Sequence, residues 1–374
     1  MEILELEAEM NKRIDILLPD LRGGGVERIR IVLAREFARV GFRVRFVLLR
    51  KRGELLRCAE EEFEIIELGV SRTRHVTRAL IKYLKSDAPD VIMAAMWPLT
   101  IVTPLAARLV RFQGKILISE HNNLSRQYAQ HGTLHRLVLR VSTCIGYRLA
   151  DVRVGVSNGV IADMAKLSLA RASKFTLLYN PLVPRERPSD TEIAHAAARW
   201  GDDCETRLIA VGSLKAQKNH AMLLRAFSAV KRPKCRLLLL GDGPLRGDLE
   251  RLAGELGIGD RIVFEGFKED PTPYYLSADL FVLSSNYEGF GNVIVEALGC
   301  GLPIVSTDCE SGPSEILEQG RWGKLTGVGD TSEMAKCIEE ELNRNIDAAA
   351  LKQRSRDFSP GTVAFGYLRA VELQ

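Results

Sequence analysis

Two successive series of short apolar runs limit this chain to parallel sheets covered by helices, because each run is closed by turn residues and followed by a stretch with helical spacing. The first series runs Ile14–Leu18, Val44–Leu49, Val91–Met96, Ile116–Ser119 and Val152–Val156. It predicts one doubly wound domain. The pattern restarts at Arg207–Gly212 and continues through Arg236–Leu240, Ile262–Phe264, Leu280–Leu283 and Pro303–Ser306. Between the two, Asn180–Asp203 holds Pro181, Pro184 and Pro188 among charged residues and reads as a linker with a helix inside it. A last helix, roughly Thr362–Leu373, follows Ser359-Pro360-Gly361. The expected division is residues 1–182 as one Rossmann-like domain, 183–358 as a second, and 359–374 as a helix packing across their junction. Two such sheets facing a central cleft put strand C-terminal ends and helix N-termini on both walls, a layout that suits two substrates.

Charge separates the halves. Residues 1–180 hold 29 Lys and Arg against 19 Asp and Glu, and the remainder 23 against 29, so the first half should favour anionic partners. Nucleic acid is a poor candidate for that partner: the chain has no zinc-finger spacing and no basic run interleaved with aromatics. Seven scattered cysteines, never in C-x-x-C spacing, indicate neither a disulfide framework nor a structural zinc, and fit a reducing cytoplasm. Met1 to Met10 is acidic, lacks the basic-then-apolar order of a signal peptide and reads as a loose extension. Val91 to Ala107 is uncharged for 17 residues, near the lower limit for a membrane span, but Pro98 and Pro104 interrupt it. A buried strand followed by a packed helix is expected there.

Three local patterns carry chemistry. Gly23-Gly24-Gly25 lies between the first strand and its helix, where backbone amides and a helix N-terminus can receive a phosphate; a plain tight turn is the competing reading. The spacing of a dinucleotide fingerprint is not met. Glu288-Gly289-Phe290-Gly291-Asn292-Val293-Ile294-Val295-Glu296 sets two carboxylates either side of a glycine-rich helix start. The amides of Gly291, Asn292 and Val293 would face a diphosphate, Glu296 the vicinal hydroxyls of a ribose, and Glu288 a sugar on the far side of the phosphates. His121, just after an apolar strand, should emerge at a strand C-terminal end.

The Glu288–Glu296 segment resembles the E-x7-E motif of the retaining GT-B-fold glycosyltransferases that build lipid-linked glycans, polysaccharide and lipopolysaccharide. The likeness extends in order through Gly24-Gly25-Val26-Glu27, Glu120-His121-Asn122, Val156-Ser157-Asn158, Asn180-Pro181, Val211-Gly212-Ser213-Leu214 with Lys218, Gly241-Asp242-Gly243, Gly301-Leu302-Pro303 and Ser311-Gly312-Pro313-Ser314-Glu315. The resemblance implies an α/β chain of two Rossmann-like domains, the first binding acceptor and the second a nucleotide sugar, a UDP-sugar ahead of a GDP-sugar. It also implies roles. Lys218 grips the leaving diphosphate, usually together with an Arg; here Ser213 stands at that Arg position, and Lys215 is a candidate substitute. His121 contacts the donor sugar or its phosphate. Configuration is retained, with the departing phosphate taking the acceptor's proton and no protein nucleophile needed.

No Asp-x-Asp pair of the kind that holds a divalent cation occurs, so neither metal nor other cofactor is expected. Two further readings share the architecture: a non-catalytic nucleotide-sugar-binding protein, to which Ser213 lends its support, and a nucleotide-sugar epimerase. The acceptor is expected to be a glycan or a polyprenyl-diphosphate-linked sugar presented at a membrane. Ile101–Ala150 holds seven basic residues against Glu120 alone, and Leu134, Leu137, Val138, Val141, Ile145 and Leu149 recur at helical spacing among Arg136, Arg140 and Arg148. Such a helix can lie on an anionic bilayer at the cytoplasmic face, or use the same stripe to pack on its own sheet.

Overall fold

The computed structural model describes residues 12–70 and 75–373, so the acidic Met1–Met10 extension lies outside it. The chain forms two compact units, one running up to Val183 and including the segment from Ser359 onward, the other Pro184–Phe358. Each is built on a wholly parallel sheet.

The N-terminal unit has seven strands: β1 Arg13–Leu18, β2 Arg43–Leu48, β3 Glu64–Glu67, β4 Val91–Ala95, β5 Lys115–Glu120, β6 Val152–Gly155 and β7 Thr176–Leu177. Their order is β3-β2-β1-β4-β5-β6-β7, which reverses direction between β1 and β4. Ile14, Ile16, Leu18, Met93 and Leu117 from the central strands are wholly buried, as strands covered on both faces must be. Asp15 and Arg45, also buried within strands, satisfy one another through two bonds of 2.9 and 3.0 Å. The uncharged stretch resolves into β4 and the helix Leu99–Val110, which carries Pro104 inside it. No helix among the described residues is long and apolar enough to cross a membrane. The last helix, Pro360–Ala370, completes this unit's core, with Val363, Ala364, Tyr367 and Leu368 packed among residues of the first helix, Gly25–Arg39.

The C-terminal unit has six strands: β8 Thr206–Val211, β9 Cys235–Leu240, β10 Ile262–Gly266, β11 Leu280–Leu283, β12 Ile304–Thr307 and β13 Lys324–Thr326. Their order, β10-β9-β8-β11-β12-β13, reverses between β8 and β11. The helix expected in the linker is Asp190–Ala198, started by a capping box between Ser189 and Glu192. In open parallel sheets a crevice forms at the strand C-terminal ends where the order reverses. In this unit the loops after β8 and β11 flank that point; in the N-terminal unit those after β1 and β4 do.

Candidate active site

The loop after β8 brings Lys218 to the loop after β11. Its Nζ lies 2.6 Å from Glu288 Oε1, and the Ser285 hydroxyl donates to the same oxygen at 2.6 Å. The two loops are stitched along their length: Asn286 N–H donates to the Gln217 carbonyl, Asn286 Nδ2 to Ala216, Gln217 Nε2 to Tyr287 and Ser284 Oγ to the Lys218 carbonyl. With its side chain only 8% exposed, Glu288 has little water to bond to, and Lys218 and Ser285 supply the hydrogen bonds that burial removes. Two glycines permit the tight packing. A Cβ on Gly241 would sit 2.1 Å from the Gly212 oxygen, and one on Gly312, at φ 92°, only 1.7 Å from the Phe290 oxygen. Both places demand backbone against backbone.

Gly291, in the left-handed region at φ 99°, caps the helix Asn292–Cys300, so the amides of Asn292 and Val293 open its first turn. No acidic residue occupies that turn, which leaves the helix dipole's positive end uncompensated by a side chain of its own. Glu296 follows in the second turn, half-buried, and accepts a bond of 3.2 Å from the hydroxyl of buried Tyr275. The C-terminal unit thus joins Lys218 to Glu288 and sets Gly291, Asn292, Val293 and Glu296 along one helix start. Ser213 is half-buried at the beginning of the β8 loop, while Lys215 is exposed.

Sequence reasoning missed His220. It opens the helix His220–Ser228 two residues after Lys218, buried, with Nδ1 lacking a hydrogen-bond partner among the described residues. Burial and then the charge of Lys218 push its pKa down to about 4. Nothing in the local pattern distinguished it from a surface helix start.

His121, Gly24 and Gly25 belong to the N-terminal unit. His121 is half-buried, its Nδ1 3.1 Å from Asn180 Oδ1 and its Nε2 3.2 Å from an Arg30 amine and 3.1 Å from Ser119 Oγ. An arginine only donates, so Nε2 is the acceptor and Nδ1 carries the proton toward Asn180. Desolvation, with the Arg30 guanidinium second, pushes the imidazole down to about 3, which makes it neutral at physiological pH. Arg30 itself is fully buried, bonded to Ser119 and stacked 5.3 Å over the Tyr367 ring. Glu120 turns the other way, into the core, where Thr100 and Tyr147 donate to it at 2.6 and 2.9 Å. Its burial raises the carboxyl to about 7.

At the glycine loop, Gly24 caps the helix Gly25–Arg39, but a Cβ there would meet the Glu27 carboxylate at 2.4 Å. The anion facing this helix start is Glu27 itself. Asp20 beneath it pairs with Arg22 and Arg52 at 2.9 and 3.0 Å.

Both units match models of known protein families. Residues 205–344 match the family model described as Glycosyl transferases group 1, and residues 23–185 match that of Glycosyltransferase Family 4. The chain is 28% identical over 358 residues to the lipopolysaccharide core biosynthesis glycosyltransferase LpsD of Rhizobium meliloti, spanning 92% of this chain and 94% of that one. It is 27% identical over 252 residues, 67% of each chain, to the N-acetylgalactosamine-N,N'-diacetylbacillosaminyl-diphospho-undecaprenol 4-alpha-N-acetylgalactosaminyltransferase of Campylobacter jejuni. Among solved structures, Anabaena HepE in complex with UDP and glucose superimposes with a TM-score of 0.80 at 21% identity, over 96% of this chain and 99% of that one.

Proposed function

We propose that this chain, which has the GT-B fold and whose two units match the models described as Glycosyl transferases group 1 and Glycosyltransferase Family 4, transfers a hexose or N-acetylhexosamine from a UDP-sugar, with retention of configuration and without a metal. The observation that carries this reading is the Lys218–Glu288–Ser285 group at the reversal point of the C-terminal sheet, beside a helix whose own first turn carries no acidic residue. Lys218 and the amides at Gly291–Val293 stabilise the charge that develops on the departing diphosphate. Glu296 takes the ribose hydroxyls, and Glu288 holds Lys218 in place while facing the sugar. His121, neutral and fixed by Arg30 and Asn180, serves as a hydrogen-bonding group rather than as an acid or base. UDP is favoured over GDP because HepE was solved with UDP and glucose. Glu27 at the helix start makes Gly24 and Gly25 a structural turn in this reading.

The acceptor is a glycan or a polyprenyl-diphosphate-linked sugar, in keeping with the relatives' roles in lipopolysaccharide synthesis and on a diphospho-undecaprenol. A docking face supports it. On the helix Thr133–Leu149, Leu139, Thr143, Gly146 and Tyr147 point inward, while Leu134, Leu137, Val138, Val141 and Ile145 are 48–73% exposed. The stripe does not pack on its own sheet. With Arg136, Arg140 and Arg148 exposed between them, these side chains suit an anionic bilayer, each basic residue adding about 1 kcal/mol. All seven cysteines are free thiols, which fits the cytoplasmic face.

Product analysis tests the function: incubation with UDP- and GDP-sugars and a lipid-linked acceptor should add one sugar mass, with the donor's anomeric configuration kept by NMR. An isomerised nucleotide sugar would make the protein an epimerase, and no product a binding protein. Binding to anionic vesicles should weaken in high salt and when Arg136, Arg140 and Arg148 become Glu. Equal sedimentation with neutral vesicles, or none, would point to a soluble acceptor.

A further inference from the structure

The N-terminal unit also contains an aromatic cluster that none of these roles uses. Trp97 follows the C-terminal end of β4, at the reversal point of its sheet, and Tyr128 and His131 come from the segment after β5. His135 lies on the first turn of the helix Thr133–Leu149. Ring centroids are 5.3 Å apart for Trp97 and Tyr128, 5.6 Å for Trp97 and His135, 5.0 Å for Tyr128 and His135, and 4.6 Å for the two histidines. These edge-on and tilted arrangements are favourable for rings and keep the group rigid.

The cluster is built and partly open. Trp97 Nε1 donates to Ser142 Oγ at 3.2 Å, and that hydroxyl donates onward to the Leu139 carbonyl at 3.0 Å, so the indole is pinned. Met96, in the left-handed region at φ 67°, turns the chain just ahead of it, a strained conformation for a residue with a side chain. Trp97, Tyr128 and His135 are half-buried and His131 is exposed. One polar atom stands out. His135 Nε2 is enclosed by protein yet has no hydrogen-bond partner among the described residues. An enclosed nitrogen of this kind is costly to leave unbonded, and a ligand or water that bonds to it removes that cost.

A pyranose matches these features better than hydrocarbon does. Its C–H face is apolar and flat, so it can lie on preformed rings without ordering flexible side chains, and a hydroxyl can reach the imidazole nitrogen once the exposed His131 ring beside it turns aside. Lipid tails would cover the rings but leave Nε2 unpaired. We propose that Trp97, Tyr128, His131 and His135 form the seat for the acceptor's sugar, with a ring hydroxyl bonded to His135 Nε2; the assignment of that sugar as acceptor rests on the transferase reading. The cluster shares the helix of the exposed apolar stripe, so a lipid-linked sugar would meet its seat next to the face that docks its lipid.

The test uses the full chain and two readouts. Saturation-transfer NMR with methyl glycosides of N-acetylglucosamine and galactose, in the absence of donor, should show contact from aromatic protons to the C–H face of at least one of them. Trp97→Ala and His135→Ala should abolish that signal and raise the acceptor KM about tenfold. UDP-sugar hydrolysis without acceptor should be unchanged in both. Trp97→Phe, which retains a ring, should recover part of the binding and controls for folding. Unchanged glycoside binding and acceptor KM would overturn the proposal, as would a parallel fall in donor hydrolysis, which marks a structural role. Loss of vesicle binding in place of sugar binding would make the rings bilayer anchors and also overturn it. A wild-type protein that binds the glycosides but neither hydrolyses nor transfers a donor sugar would refute the transferase reading and leave the sugar seat standing.

Discussion

Lys218→Met removes one charge and keeps most of the side-chain stem, so its effects follow from the surroundings of Nζ. That atom lies 2.6 Å from Glu288 Oε1, in side chains 15% and 8% exposed. Stranding one member of a fully buried pair costs about 3–5 kcal/mol. Glu288 keeps its 2.6 Å bond from Ser285 and Lys218 is not fully enclosed, so about 1–3 kcal/mol of stability should be lost. Catalysis should suffer more. A preorganised cation on a developing anion contributes about 2–4 kcal/mol, hence a fall of roughly 30- to 1000-fold in kcat/KM. Urea unfolding measures the first effect, and initial rates against UDP-sugar concentration, on protein shown to be folded, measure the second. Glu288→Gln, which leaves the lysine charged, should cost less stability, and the double variant closes a cycle that isolates the coupling between the two. A folded Lys218→Met enzyme with unchanged kcat/KM would refute the leaving-group role and move it to exposed Lys215.

His121 and His220 both have imidazoles depressed below the ordinary value of 6.5, to about 3 and about 4. Each therefore contributes stability that is full above pH 6.5 and lost as pH falls toward the folded-state value, at up to about 1.4 kcal/mol per pH unit per histidine. The urea midpoint of the wild type should decline from pH 6.5 to 4.5, with His121→Asn showing a slope shallower by about one proton; identical slopes would contradict the burial of a neutral ring. For the same reason kcat/KM should show no limb between pH 5 and 8 that His121→Asn abolishes. Transfer should persist in excess EDTA, because the sequence offers no Asp-x-Asp pair; abolition by chelator with rescue by magnesium or manganese would count against a metal-free mechanism.

The strand series were legible because a parallel strand buried on both faces must be apolar at every position, which produces runs too plain to miss. The unpredicted strands are those that escape this demand: β3 Glu64–Glu67, β7 with two residues and β13 with three, all at sheet edges where one flank is unpaired. The glycine-rich stretch from Glu288 to Glu296 was legible for a different reason: glycines gathered ahead of a helical run mark a sharp backbone turn, and Gly291 takes positive φ there. The partners that set each group's chemistry were not. Lys218 and Glu288 meet across 70 residues, and Arg30 and Asn180 converge on His121 from 91 and 59 residues away. Separations of that size leave no periodicity to read.

The amphipathic helix shows why direction is harder to read than period. An apolar stripe at helical spacing is the same signal whether it turns inward or outward. In Thr133–Leu149 the inward face is the less conspicuous one, with Thr143 and Gly146 among its residues. A Cβ on Gly146 would lie 2.9 Å from the Ile101 backbone, so the helix approaches its neighbour Leu99–Val110 through a glycine rather than through leucines. Close approach through small residues excludes the large side chains from that interface, and Leu134, Leu137, Val138, Val141 and Ile145 are left on the outside. The clue was present in the sequence as Thr143-x-x-Gly146 on the face opposite the leucines, but it acquires meaning only when a neighbouring helix supplies the surface that a larger residue would strike.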